Sequence, residues 1–133
     1  MRKAISFVTI LSLSFVSHAN SGIEGSWELE GNSDRYFFGI NIAKSGDHFT
    51  GTYCAVAQGG LKMDCGIDEE KEFLIKEVSC AKYELEFESH FSESKGRASL
   101  SLQEGILTWS LLSAPKGEHY VPTEARLHAS SGT

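Results

Sequence analysis

Apolar and polar residues alternate with a period of two along most of the chain, and glycines break the alternation at short intervals. Trp27 and Leu29 alternate with Ser26, Glu28 and Glu30. Tyr36, Phe38, Ile40 and Ile42 share one face, opposite Phe37, Gly39, Asn41 and Ala43. Tyr83, Leu85 and Phe87 alternate with Glu84, Glu86 and Glu88, and Ala98, Leu100 and Leu102 with Arg97, Ser99, Ser101 and Gln103. Ala125 and Leu127, between Glu124, Arg126 and His128, predict a last strand before a short polar tail. Side chains of a strand point alternately to its two faces, so each segment reads as a strand with one buried and one wet side. Helical spacing is sustained nowhere after residue 19. The best candidate, residues 67–78 (IDEEKEFLIKEV), leaves room for at most one helix or turn.

Turn chemistry sets the register of one hairpin. With Glu104-Gly105 as a two-residue turn, Gln103 faces Ile106, Leu102 faces Leu107, Leu100 faces Trp109 and Ala98 faces Leu111. A slip of one residue would set leucine and tryptophan opposite serine, so face pattern and turn agree. About eight short strands in meander order predict an all-β fold: a single antiparallel meander, closed or nearly closed into a barrel, with a β-sandwich as the alternative. Closure would pair the last strand with the one carrying Trp27 and so protect both edges.

The stretch TGTYCAVAQGGLKMDCG, residues 50–66, raises the question of its two cysteines. With Gly59-Gly60 at the centre of a hairpin, partner numbers sum to 119, which sets Cys54 opposite Cys65 and Val56 opposite Met63. A two-residue loop and a four-residue loop, Gln58 to Leu61, keep the same partners. Both bring the cysteines to about 5 Å, close enough for a disulfide. A metal site lacks a CxxC and a nearby histidine, and a redox couple lacks a CxxC at a helix start. Cys80 is then left over, as a buried free thiol, a competing disulfide partner or a handle for dimerisation.

Residues 1–19 carry Arg2 and Lys3, an apolar run from Ala4 to Val16, and Ser17-His18-Ala19 at the end. This is the pattern of a secretory signal peptide cleaved near Ala19. The expected mature chain, residues 20–133, is one domain in an oxidising compartment, periplasmic or extracellular, without a membrane anchor. Cleavage removes two of 12 basic and none of 18 acidic residues, which takes the net charge from −6 to −8. An acidic surface disfavours nucleic acid and anionic membranes and suits a cationic partner.

Catalytic signatures are missing: there is no GxSxG, HExxH, phosphate-binding glycine loop or dinucleotide fingerprint. His48, His90, His119 and His128 are isolated and read as surface or strand-edge residues. Asp64, Asp68, Glu69, Glu70 and Glu72 cluster without the ligand spacing of a calcium loop and read as a solvated acidic face. No cofactor and no metal is expected.

Gly25-Ser26-Trp27 resembles the G-[ST]-W of the first strand of the avidin and streptavidin family, and GDHFTGTY, residues 46–53, is similar to its turn and third-strand motif. A GxW opening a meander barrel also occurs in lipocalins. The resemblance covers about the first third of the mature chain and implies an eight-stranded barrel of calycin type. It would make Tyr53 a match for the family's biotin-contacting tyrosine, and Ser33 for a serine in the following loop. Leu29 and Ala55 stand where the family has a ureido-binding asparagine and a serine. Only Trp27 and Trp109 remain of its tryptophan-lined pocket, which argues against biotin. The length, the signal and the cysteine hairpin also resemble small periplasmic β-proteins that inhibit lysozymes or neutralise effectors.

The sequence thus leads to a non-enzymatic secreted binding protein. Its expected partner is another protein, as for a hydrolase inhibitor or an immunity protein, with contacts at Asp68, Glu69, Glu70 and Glu72 and at the tip SESKG (92–96). The alternative is a carrier holding a small apolar ligand near Trp27, Ser33, Tyr53 and Trp109. A small periplasmic hydrolase is the third reading.

Overall fold

The computed structural model describes residues 22–31, 36–65 and 72–130. Residues 1–21, which include the expected signal segment, and Ser33, Asp68, Glu69 and Glu70 lie outside the described residues. Nine strands are described: β1 (Gly25–Leu29), β2 (Phe37–Ser45), β3 (His48–Ala57), β4 (Lys62–Cys65), β5 (Phe73–Ser79), β6 (Lys82–Glu88), β7 (Lys95–Gln103), β8 (Ile106–Ser113) and β9 (Glu124–Ala129). All ladders are antiparallel. The order β1, β2, β3, β5, β6, β7, β8, β9 returns to β1 through Trp27↔Ala129 and Leu29↔Leu127, so eight strands close a barrel. The expected barrel, with its last strand against the Trp27 strand, is the architecture observed; the sandwich is not.

The predicted hairpin register holds in full, from Gln103↔Ile106 to Ala98↔Leu111. Beyond it the pairing jumps to Arg97↔Ser113, which leaves Leu112 in a bulge, about half exposed. The segment 67–78 needs correcting. Its described part is not a helix but strand β5, in which Phe73 and Ile75 are buried and Leu74 and Lys76 face out. Charges dominate its N-terminal half and obscured the period of two that starts at Phe73.

β4 and β5 share one edge of β3. Partners of β3 sum to 119 along β4 (Cys54↔Cys65 to Ala57↔Lys62) and to 124 along β5 (Gly51↔Phe73 to Phe49↔Ile75). Together they act as one barrel strand interrupted by five extra residues. Among the described residues β4 has a ladder only with β3, and the β5–β6 ladder begins at Ile75↔Leu85.

The barrel interior is packed solid with its own side chains. Trp109, Phe38, Phe87, Ile40, Leu100, Leu107 and Leu127 are at most 1 % exposed. Phe38 and Phe87 meet the Trp109 ring at 5.0 and 5.5 Å between centroids. Two inward positions must be glycine to admit rings. A Cβ on Gly51 would lie 2.7 Å from the Phe73 ring, and one on Gly96 would lie 2.6 Å from Phe87 and 2.8 Å from Pro115. Interiors at crystal-like density leave no slack for such a methyl.

Candidate functional site

The meander gives the barrel two unlike ends. At one end two-residue turns, Gly46–Asp47, Cys80–Ala81 and Glu104–Gly105, join consecutive strands. At the other lie the β3–β4 hairpin loop, Gln58–Leu61, and the longer connections 89–94 and 114–123. Exposed and polar side chains gather at this loop end, around a carboxylate that is not exposed at all.

Asp64 is fully buried. Its Oδ1 accepts from the Tyr53 hydroxyl at 2.7 Å and from the His90 backbone N–H at 2.9 Å. Its Oδ2 accepts from the Ser89 hydroxyl at 3.2 Å and from the Tyr120 backbone N–H at 3.3 Å. A buried carboxylate is tolerable only when its lone pairs are occupied in this way. One side chain therefore ties β4 to β3 and to both long connections. The Tyr53 hydroxyl is pushed up from its usual pKa, first by burial and then by its bond to Asp64, so it stays a donor. Ser89, also buried, lies 3.3 Å from the Glu118 carbonyl and receives the Phe91 N–H.

This residue is the one the sequence reading misplaced, as part of a solvated acidic face. The signal that locates it was present. The pairing that sets Cys54 against Cys65 also sets Asp64 against Ala55, and Ala55 shares the inward face of β3 with Tyr53. Alternation put Asp64 inside; its charge suggested outside.

The disulfide Cys54–Cys65 is formed, with Cα atoms 4.0 Å apart, and the four-residue loop is the one observed, closed by Leu61 N–H onto the Gln58 carbonyl at 3.2 Å. The hairpin is thus stapled on its outer face by the disulfide and pinned on its inner face by Asp64. Its tip is apolar and open: Leu61 is 84 % exposed and Met63 58 %. Beside it Lys62 Nζ stands 5.5 Å over the Phe91 ring and 3.6 Å from Glu118. Phe91 packs edge-on against Tyr120 at 5.0 Å, and the Tyr120 hydroxyl donates to Glu118, which pushes its pKa up to about 12. Ser94 of the SESKG tip donates to the Lys116 carbonyl, so this loop is also tied to 114–123.

Trp27, Tyr53 and Trp109 are brought into the barrel core, where their polar atoms bond internally. Trp27 Nε1 donates to the Ile23 carbonyl and Trp109 Nε1 to the Pro122 carbonyl, each at 2.8 Å. Glu72 is exposed at the start of β5. His48 and His128 are at the surface, while His90 and His119 are half-buried in the connections pinned by Asp64. Cys80 is neither buried nor bonded; it is a free, exposed thiol in the β5–β6 turn. Among the described residues no three His, Cys, Asp or Glu side chains group to hold a metal ion.

Comparison of the chain with protein-family models, curated proteins and solved structures found no match.

Proposed function

We propose that this chain is a secreted binding protein that recognises another protein through the stapled β3–β4 hairpin and the loops beside it. The observation that carries the reading is Leu61, 84 % exposed at the tip of a hairpin fixed on both faces. Leaving a leucine in water forfeits on the order of 2 kcal/mol, and a rigid apolar anchor recovers it in a partner's pocket at little entropic cost. Lys62, Phe91, Tyr120 and Glu118 stand beside it as a connected set of aromatic and charged side chains. The SESKG tip lies at the same end, Glu72 stands at mid-height beside Thr52 and outside this surface, and a hydrolase inhibitor or an immunity protein is the functional class the surface suits.

The carrier reading needs room inside the barrel, and Phe38, Phe87, Tyr53 and Trp109 occupy that room. The hydrolase reading needs two acids, or an acid and a histidine, converging in one cleft, and Asp64 does not supply one of them because four donors seal it.

The test couples capture from periplasmic or culture extract with inhibition assays on lysozymes and amidases. Wild-type chain should retain one partner or inhibit one enzyme, and Leu61→Asp should lose that effect while keeping its melting temperature. A wild type without partner or inhibition overturns the reading, as does an undiminished effect in Leu61→Asp.

A further inference from the structure

We propose that the partner attaches at the free edge of β4, where an extended segment of its own chain adds as a further strand. This contact rests on the proposed function and names the partner's mode of attachment. The barrel closes without β4. Among the described residues its ladder runs to β3 alone, while β5 takes the next place along β3 and carries the sheet on to β6. Closing a barrel abolishes strand edges, and β4 brings one back. Hairpin geometry identifies the backbone groups on it. In an antiparallel ladder the closer pairs make no hydrogen bonds to each other, and their N–H and C=O point to the outer edges. Cys54 and Cys65, with Cα atoms 4.0 Å apart, are such a pair, and Val56 and Met63, two positions along, are the next. The N–H and C=O of Met63 and Cys65 therefore point away from β3, and no other backbone group meets them among the described residues.

Edges are commonly guarded by a lysine or by a charge pointing inward. Neither guards this one: Lys62 is held against Phe91 and Glu118, and Asp64 is satisfied by its four donors. Met63 is open to solvent, 58 % exposed next to Leu61. Beyond β4 the wall stays parted. The β5–β6 ladder begins only at Ile75↔Leu85, and a groove of about 540 Å³ opens between Phe73 and Phe87. Four acidic and three basic residues line it, and two of the bases, Lys95 and Arg97, are bridged to Glu86 and Glu84. These features select the occupant. A row of N–H and C=O groups on a strand edge is complementary to another extended backbone. Leu61 and Met63 call for apolar side chains on that segment. The acidic excess of the groove, on a chain with 18 acidic and 12 basic residues, calls for a basic residue at its far end. The partner thus supplies a short strand of alternating apolar and polar residues that ends in lysine or arginine.

The test uses the secreted chain and the partner it captures from extract, purified and titrated by calorimetry, with amide exchange read residue by residue. The Met63 and Cys65 amides should exchange freely in the chain alone and become protected in the complex. Met63→Pro removes the outward N–H without breaking the β3 ladder, to which Met63 gives no bond. It should weaken binding at least about tenfold, the loss of a backbone hydrogen bond and of room for its neighbour. Met63→Ala, which keeps the N–H, should weaken it less. Glu72→Lys, at the groove, should also weaken binding, and more at low salt than at high salt. If Met63→Pro unfolds the hairpin, amide exchange in the wild-type complex decides alone. Capture that requires Leu61 but leaves both amides exchanging as in the free chain overturns strand addition while the proposed function stands. A folded Met63→Pro variant that binds like the wild type does the same. Amides already protected in the free chain also overturn it, because the edge is then covered from within, and an affinity raised by Glu72→Lys overturns the basic segment. A wild type that captures no partner overturns this contact together with the proposed function.

Discussion

The two ends of the barrel are built by different means. At the turn end each connection is settled by its own two residues: Glu104 and Gly105 both have positive φ, 52° and 78°, the conformation of a tight hairpin turn that follows the twist of its strands. At the loop end conformation is settled at a distance. Asp64 reaches Tyr53 across 11 positions of sequence, Ser89 across 25, His90 across 26 and Tyr120 across 56. The turn end is therefore robust to changes elsewhere, whereas the loop end stands or falls with one carboxylate.

Removing that carboxylate is the strongest way to break the contrast. Asp64→Ala removes the acceptor of the His90 and Tyr120 N–H groups and leaves the Tyr53 and Ser89 hydroxyls only the Glu88 and Glu118 carbonyls, at 3.2 and 3.3 Å. The expected loss is about 3–5 kcal/mol, as for breaking a buried charged network. Urea unfolding measures the total. Amide exchange should show lost protection concentrated at 89–94 and 114–120, with the Glu104–Gly105 turn opening only in the global unfolding. A loss below about 1 kcal/mol, or one spread evenly over both ends, would remove Asp64 from its central place.

The staple comes next. Replacing Cys54 and Cys65 together by alanine should cost about 2–3 kcal/mol by freeing a short loop in the unfolded chain. Asp64 would still pin the inner face, so the hairpin should keep its register, visible as retained contacts between Val56 and Met63 in nuclear Overhauser spectra. If the register is lost, the disulfide and not the carboxylate organises this end.

The contrast between the ends also explains what the sequence disclosed. Local alternation located the strands, and turn chemistry set the Gln103–Ile106 hairpin and the Cys54–Cys65 pairing to the residue. Those signals lie within a dozen positions of each other. The long-range bonds to Asp64 have no local signature, and a charged residue beside an acidic stretch reads as solvated until its strand parity is followed inward. Strand β5 was obscured for a related reason: a run of charges precedes Phe73, and its register on β3 is displaced by five residues from that of β4. The tryptophans illustrate the converse. Trp27 and Trp109 suggested a ligand pocket because aromatic residues serve pockets and cores alike, and only packing separates the two uses.

A change confined to the turn end should be smaller. Gly105→Ala places a Cβ on a residue with φ of 78° and open space around it, so the cost is that of the left-handed conformation alone, about 1–2 kcal/mol. The loop end should be unaffected, and binding through Leu61 with it. A larger loss than for Asp64→Ala, both read by urea unfolding, would reverse the ranking of the two ends.

The smallest effect is on pH dependence, and it is silent near neutrality. Tyr53 and Tyr120, both at the loop end, have pKa values raised above the ordinary tyrosine value near 10: Tyr53 first by burial, Tyr120 to about 12 first through its bond to Glu118. In the unfolded chain both hydroxyls lose their protons near pH 10, while the folded chain keeps them. Between about pH 10 and 12 the native state therefore holds more protons than the unfolded state, and stability falls as pH rises. Below pH 9 these groups contribute no slope. Tyr83, nearer the turn end, is raised in the same direction, first by burial, and adds to the same window. Phenolate absorbance followed alongside circular dichroism should show Tyr53 ionising only as the fold is lost. In Tyr53→Phe that late phase should disappear, leaving the other tyrosines to titrate ahead of unfolding. A Tyr53 that ionises near pH 10 in the intact protein would mean that its hydroxyl is not held by Asp64, and the loop end would lose its central bond.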